Sequence, residues 1–124
     1  MLLQEIMKSL YYKKEAYFLD MFGKVKHNQT TLYSDRNNCI SGKHIERWLL
    51  INDLLNVSAF LNEGWTPDWE NADEAKYIIS LEKNKLSNKK VNTPCSFTYF
   101  KNPSLATTAI EVLGEKQIKA ILLG

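Results

Sequence analysis

Arginine is nearly absent from this chain: of its 16 basic residues only Arg36 and Arg47 carry guanidinium groups, and the rest are lysine. Lysine offers a point charge rather than a planar fork, which weakens any case for bidentate reading of base edges or phosphates. The net charge of +2 is too small for a protein that coats DNA. Only two cysteines occur, Cys39 and Cys95, with no CxxC pair, so a disulfide scaffold and a paired-cysteine zinc motif both fall away. Five glycines are scattered and none forms a GxGxxG or GxxxxGK[ST] string, which leaves no phosphate-cradling motif. The most apolar stretch, 48–61, is interrupted by Asn52, Asp53 and Asn56 and falls short of the roughly 20 residues that span a bilayer. At the start, Gln4, Glu5 and Lys8 stand where a signal peptide needs an unbroken apolar run. The setting these absences imply is soluble, reducing and cytoplasmic, with both thiols free and buried as small hydrophobes.

What is present reads as an ordinary globular chain. Its 124 residues, 44% hydrophobic and 24% charged, fit one domain, 1–124, with a core that needs no metal or disulfide staple. Leu3, Ile6, Leu10, Tyr17 and Met21 recur at helical steps, so 2–22 reads as an amphipathic helix closed by Gly23, with Lys13 and Lys14 lying along its flank. Residues 24–40 are polar, with a turn signal at 35–38 and at best a short edge strand over 30–33. Ser41 is placed to cap a second helix over 42–63, ahead of Gly64. The apolar positions of that helix, Trp48, Leu54, Leu55 and Phe60 among them, cover more than one stripe, as expected of a central core helix.

Beyond Pro67 the period changes. Tyr77, Ile79 and Leu81 alternate over 76–86, and residues 87–90 supply turn chemistry. Residues 91–100 then return with Cys95, Phe97 and Tyr99 on one face, which predicts a β-hairpin. Pro94 lacks a ladder donor and puts the start of that second strand at an edge or bulge. Asn102 and Pro103 open a third helix that Gly114 ends, and 115–123 form a fourth. The fold class is therefore α+β: helices on one face of a small antiparallel hairpin, in the order α-(short β)-α-β-β-α-α.

Charge is segregated. Glu63, Asp68, Glu70, Asp73 and Glu74 occur with no base between 63 and 75, and Lys76, Lys83, Lys85, Lys89, Lys90 and Lys101 follow with Glu82 as their one acid. Solvated loop and hairpin faces are the plain explanation; a surface that steers a partner is the functional one.

The strings Leu61-Asn62-Glu63-Gly64-Trp65-Thr66-Pro67-Asp68-Trp69 and Lys76-Tyr77-Ile78-Ile79 are distinctive, as are Tyr99-Phe100-Lys101 and the segment from Leu105-Ala106 through Ala109-Ile110-Glu111-Val112-Leu113-Gly114-Glu115 to Ile118. In them the chain resembles a group of uncharacterised small proteins from Bacteroides-like bacteria and their phages. The resemblance covers the half from 61 to 124 and implies a phage or mobile-element origin. It brings no reaction, cofactor or catalytic residue, and the helical half, 1–60, lies outside it.

Chemistry is hard to assemble. His27, Cys39, His44 and Cys95 are singly spaced, unlike zinc ligands. The acidic run lacks the alternating ligands and central glycine of a calcium loop, with Ala72 where a ligand belongs. No nucleophile motif occurs. The expectation is a protein that is not an enzyme, holds no cofactor or metal, and works by binding. The candidate surface is the hairpin lysines Lys83, Lys85, Lys89 and Lys90, with Trp69 beside Asp68 as an apolar anchor. The expected partner is a host protein or ribonucleoprotein, contacted without a membrane. The expected role is that of an accessory inhibitor of an anti-phage nuclease, comparable to an anti-CRISPR protein. The competing expectation is a single-stranded nucleic-acid binder, with Tyr77, Phe97, Tyr99 and Phe100 as stacking surfaces among the lysines. A third is self-association through the apolar second helix, which leaves monomer and homodimer both open.

Overall fold

The computed structural model describes residues 1–11, 17–27 and 41–124. The expected short strand over 30–33, the turn at 35–38, Lys13, Lys14 and Cys39 lie outside these. The fold is α+β, in the order α1 (Leu3–Tyr11), β1 (Tyr17–Leu19), β2 (Val25–His27), α2 (Gly42–Leu61), β3 (Lys76–Glu82), β4 (Lys85–Val91), α3 (Pro103–Leu113) and α4 (Glu115–Leu123). Two compact units divide it, Met1–Leu49 and Leu50–Gly124, with α2 beginning in the first and continuing into the second.

In the first unit the expected long helix over 2–22 stops at Tyr11, and the segment after it pairs β1 with β2 in antiparallel register, Phe18 opposite Lys26. Asp20 is the cause. Its Oδ1 accepts the N–H groups of Phe22 at 2.8 Å and Lys24 at 2.9 Å, and its own N–H donates to the Lys24 carbonyl. Gly23, at φ +76°, takes the left-handed position of this tight loop. The sequence signal for positive φ holds at Gly23, but it closes a hairpin instead of a helix. Met21 and Phe22 stand exposed at its tip. Tyr17 stacks on its cross-strand neighbour His27 with centroids 4.3 Å apart. Helix α2 starts against this pair: a Cβ on Gly42 would meet Tyr17 Cδ1 at 3.1 Å, so glycine opens the helix where the ring needs the room. Ser41 caps it as expected, its Oγ accepting the Lys43 N–H at 3.1 Å.

The second unit holds a core of Leu54, Ile79, Phe100, Ala106, Ala109, Ile118 and Ile121. Helix α2 feeds it from one side only, since Leu55 is exposed and Phe60 is 81% exposed, while Trp48 is exposed further back in the first unit. Within this unit the helix is therefore covered on one side, while Ile45, nine residues before Leu54 and so on the opposite face of the helix, is fully buried in the first unit. Asn102 Oδ1 accepts the Leu105 N–H at 3.1 Å and caps α3, and Gly114 both ends α3 and opens α4.

The hairpin differs from its expected register. Lys83 and Asn84, both at positive φ, form the two-residue turn, and residues 87–90 lie inside β4. Positive φ at both central residues defines the primed turn whose twist matches paired strands. Residues 92–99 form a loop, with Phe100 alone rejoining the sheet through a bridge to Tyr77. Pro94 therefore sits in a loop and not at a strand edge, and Cys95 is exposed instead of buried, because no strand face carries it inward.

Candidate binding surface

Pairing fixes which side chains share a face of the hairpin. Tyr77 lies opposite Lys90, Ile79 opposite Asn88 and Leu81 opposite Leu86. Of these, Ile79 enters the core, with Tyr77 and Leu86 packed against it. The other face carries Ile78 with Lys89, Ser80 with Ser87 at 3.2 Å between hydroxyls, and Glu82 with Lys85. Lys85 and Lys89 therefore share the outer face at alternate positions. Lys83 is a turn residue and shares no strand face with Lys85. Lys90 belongs to the core side but remains exposed at its margin. The four lysines predicted as the surface are all exposed, and among the described residues none makes an ion pair.

Asp68 and Trp69 are placed differently. The Asp68 N–H donates to Glu74 Oε1 at 2.8 Å, and its carboxylate accepts the Glu70 N–H at 3.0 Å, so this residue organises its own loop. Trp69 is half-buried and its ring is occupied: Tyr99 meets it edge-on at 4.8 Å, and Lys76 Nζ lies 5.1 Å from its centre. It does not stand free as an anchor.

Sequence reasoning missed the centre of this arrangement, Lys76. Grouped with the solvated bases, it is only 2% exposed. Its ammonium donates to the carbonyls of Asn71 and Glu74, both at 3.1 Å, and pairs with Glu74 Oε1 at 3.4 Å. A buried ammonium is tolerated only when its donors are spent in this way. The backbone N–H of Asp68, then Lys76 and the Trp65 side chain, holds the Glu74 carboxyl below its ordinary value. Asn62 completes the frame: its Nδ2 donates to the Tyr99 carbonyl at 2.8 Å and its Oδ1 accepts the Lys101 N–H at 3.1 Å. Tyr99 Oη accepts the N–H groups of Cys95 and Ser96 at 2.6 and 2.7 Å. The residues of the distinctive string thus build a cage that locks the 65–75 and 92–101 segments to the hairpin. One signal was available in the sequence, a lysine beginning a strand directly after an acidic run.

No three metal-ligating side chains converge among the described residues, and none of the helices among them is long and apolar enough to cross a membrane. An open depression of about 260 Å³ on α1 is lined by Met1, Glu5, Ile6 and Ser9, a set with one ionisable side chain. No known protein family, curated protein or solved structure matches the chain.

Proposed function

We propose that this chain is a non-enzymatic accessory protein of a phage or mobile element, acting in the cytoplasm of its bacterial host. It docks its basic hairpin on an acidic surface of a host protein or ribonucleoprotein, and inhibition of an anti-phage nuclease is the role this suits. The observation that carries the reading is the set Lys83, Lys85, Lys89 and Lys90: four exposed ammonium groups along one hairpin, Lys83 and Lys85 at its turn and Lys89 and Lys90 further along β4, none spent on an ion pair among the described residues. Unpaired charges on a braced strand pair raise the rate of encounter with an opposite surface and penalise wrong partners. In this reading Trp69 and Asp68 brace the loop beside the hairpin and do not touch the partner.

A protein partner is favoured over bare single strands because three of the four aromatic residues named as stacking surfaces are taken up in the fold. Phe100 is fully buried, Tyr77 packs against the core, and Tyr99 is held by two N–H groups and the Trp69 edge, which leaves Phe97, 44% exposed, as the one open ring of the four. Base stacking needs open ring faces. The test is affinity capture from a Bacteroides-like host lysate, with and without nuclease, using the native chain and a variant with Lys83, Lys85, Lys89 and Lys90 all changed to Glu. A nuclease-resistant partner lost in the variant is the expected result. Recovery of nuclease-sensitive nucleic acid alone would replace it with the single-strand binder.

A further inference from the structure

Tyr77 and Phe100 exchange both backbone hydrogen bonds, at 2.9 and 2.8 Å. In a strand the N–H and C=O of one residue point to the same side and neighbouring residues alternate. Tyr77, Ile79 and Leu81 therefore turn their backbone groups toward the Phe100 side, while Lys76, Ile78, Ser80 and Glu82 turn theirs toward β4. Their partners Val91, Lys89, Ser87 and Lys85 point back, which leaves Leu86, Asn88 and Lys90 with N–H and C=O directed away from the sheet. No hydrogen bond within the described residues takes these groups up, and Asn88 and Lys90 are exposed. The outer edge of β4 is an open template for a further strand.

Edges of this kind are blunted against self-pairing by lysine. Lys85, Lys89 and Lys90 do that here, since a second copy of the same edge would bring like charges together. The device is selective as well as protective: it repels a basic or self-like strand and attracts one of opposite sign. Resting on the reading of the basic hairpin as the working surface, we propose that the β4 edge binds an extended acidic segment of the partner protein, which adds as a third strand. About six residues suffice to span Lys85 to Lys90 at roughly 3.3 Å each. Main-chain bonds to Leu86, Asn88 and Lys90 supply the register. Carboxylates at two positions separated by four residues lie beside Lys89 and Lys85 on the outer face, as expected for strand addition with pockets for alternate side chains.

The probe is a blocked peptide of alternating Glu and Val, titrated into isotope-labelled protein and followed by amide shifts and hydrogen exchange. Binding is expected to slow exchange at the Leu86, Asn88 and Lys90 amides and to leave Ser87 and Lys89, already paired with β3, unchanged. Asn88→Pro removes an outward donor and no bond of the β3–β4 pair, and should weaken binding roughly tenfold, the worth of a main-chain bond with its lost geometry. Lys85→Glu with Lys89→Glu should abolish it and accept a Lys-Val peptide in its place. If Asn88→Pro disturbs the fold, the exchange pattern of the native chain decides alone. Lysine-dependent binding without protection at the three amides overturns strand addition and leaves the hairpin reading standing, as does an oligouridylate that competes fully. Failure of the acidic peptide to bind overturns the inference, and only capture of the host partner by the charge-reversed chain overturns the reading beneath it.

Discussion

Lys76 lies sealed beneath Trp69, its ammonium 5.1 Å from the ring centre, and the two are joined to the rest of the unit through Glu74 and Tyr99. A charge is thus spent on architecture within a stretch of sequence whose other lysines face water. The arrangement fixes the end of the hairpin where Lys76 pairs with Val91, so that Lys89 and Lys90 stand beside the clamp while Lys83 and Lys85 stand at the turn.

Lys76→Met keeps the aliphatic stem and removes the charge. It strands the Asn71 and Glu74 carbonyls and leaves Glu74 without its cation, so a loss of about 2 kcal/mol is expected. Urea unfolding should show a lower midpoint at unchanged slope. A neutral result would mean that the ammonium contributes no more than a well-packed thioether.

Glu74 sets an acid limit. Its carboxyl titrates below the ordinary 4.5, chiefly because the Asp68 N–H donates to it, with Lys76 and Trp65 adding to the effect and partial burial opposing. A group whose folded value is depressed stabilises the fold above its unfolded value and loses that contribution as pH falls through the folded one. The native chain should therefore weaken below about pH 4.5. Glu74→Gln should be less stable at neutral pH and show a flatter acid limb in unfolding measured from pH 7 to 3. Parallel curves for the two proteins would place the acid sensitivity elsewhere.

Much of the second unit was legible because local chemistry and tertiary context agree there. Asn102 with Pro103 is a start signal that needs no partner to be read, and the two helices that follow bury Ala106, Ala109, Ile118 and Ile121. The hairpin was legible as a pair but not in register. Ser87 to Lys90 has the composition of a turn, whereas the turn falls at Lys83 and Asn84, where lysine adopts an unfavourable left-handed conformation that packing of Ile79 and Leu86 imposes. Helix periodicity misled at the start of the chain, because Tyr17 to Leu19 fits either period and the side chain of Asp20 decides for the hairpin. Of the proposed surface, the lysines could be read directly. The inward use of Trp69 could not, since a tryptophan after a helix end serves equally as plug or anchor until its neighbours are known.

Phe60 and Leu54 separate the two readings of α2. Both look like core positions by composition, but Leu54 is in the core cluster and Phe60 is exposed. Leu54→Ala should cost about 2–5 kcal/mol. Phe60→Ser should stay within about 0.5 kcal/mol. A large loss at Phe60 in a thermal melt that depends on protein concentration would show that this side of the helix is covered in a dimer.

The turn offers the last test, because stability and binding should move in opposite directions there. Lys83 at φ 50° and Asn84 at φ 64° occupy the primed turn, for which Asn-Gly is the preferred pair. Lysine carries a steric cost in this region that asparagine softens and glycine lacks. Changing Lys83→Asn together with Asn84→Gly should raise stability by about 1 kcal/mol. It also deletes one of the four exposed ammonium groups, so affinity for an acidic partner should fall, most steeply at low salt, where surface charges are least screened. Calorimetric unfolding and a salt series of the captured complex measure the two effects on one protein. Raised stability with unchanged affinity removes Lys83 from the contact and confines the surface to Lys85, Lys89 and Lys90.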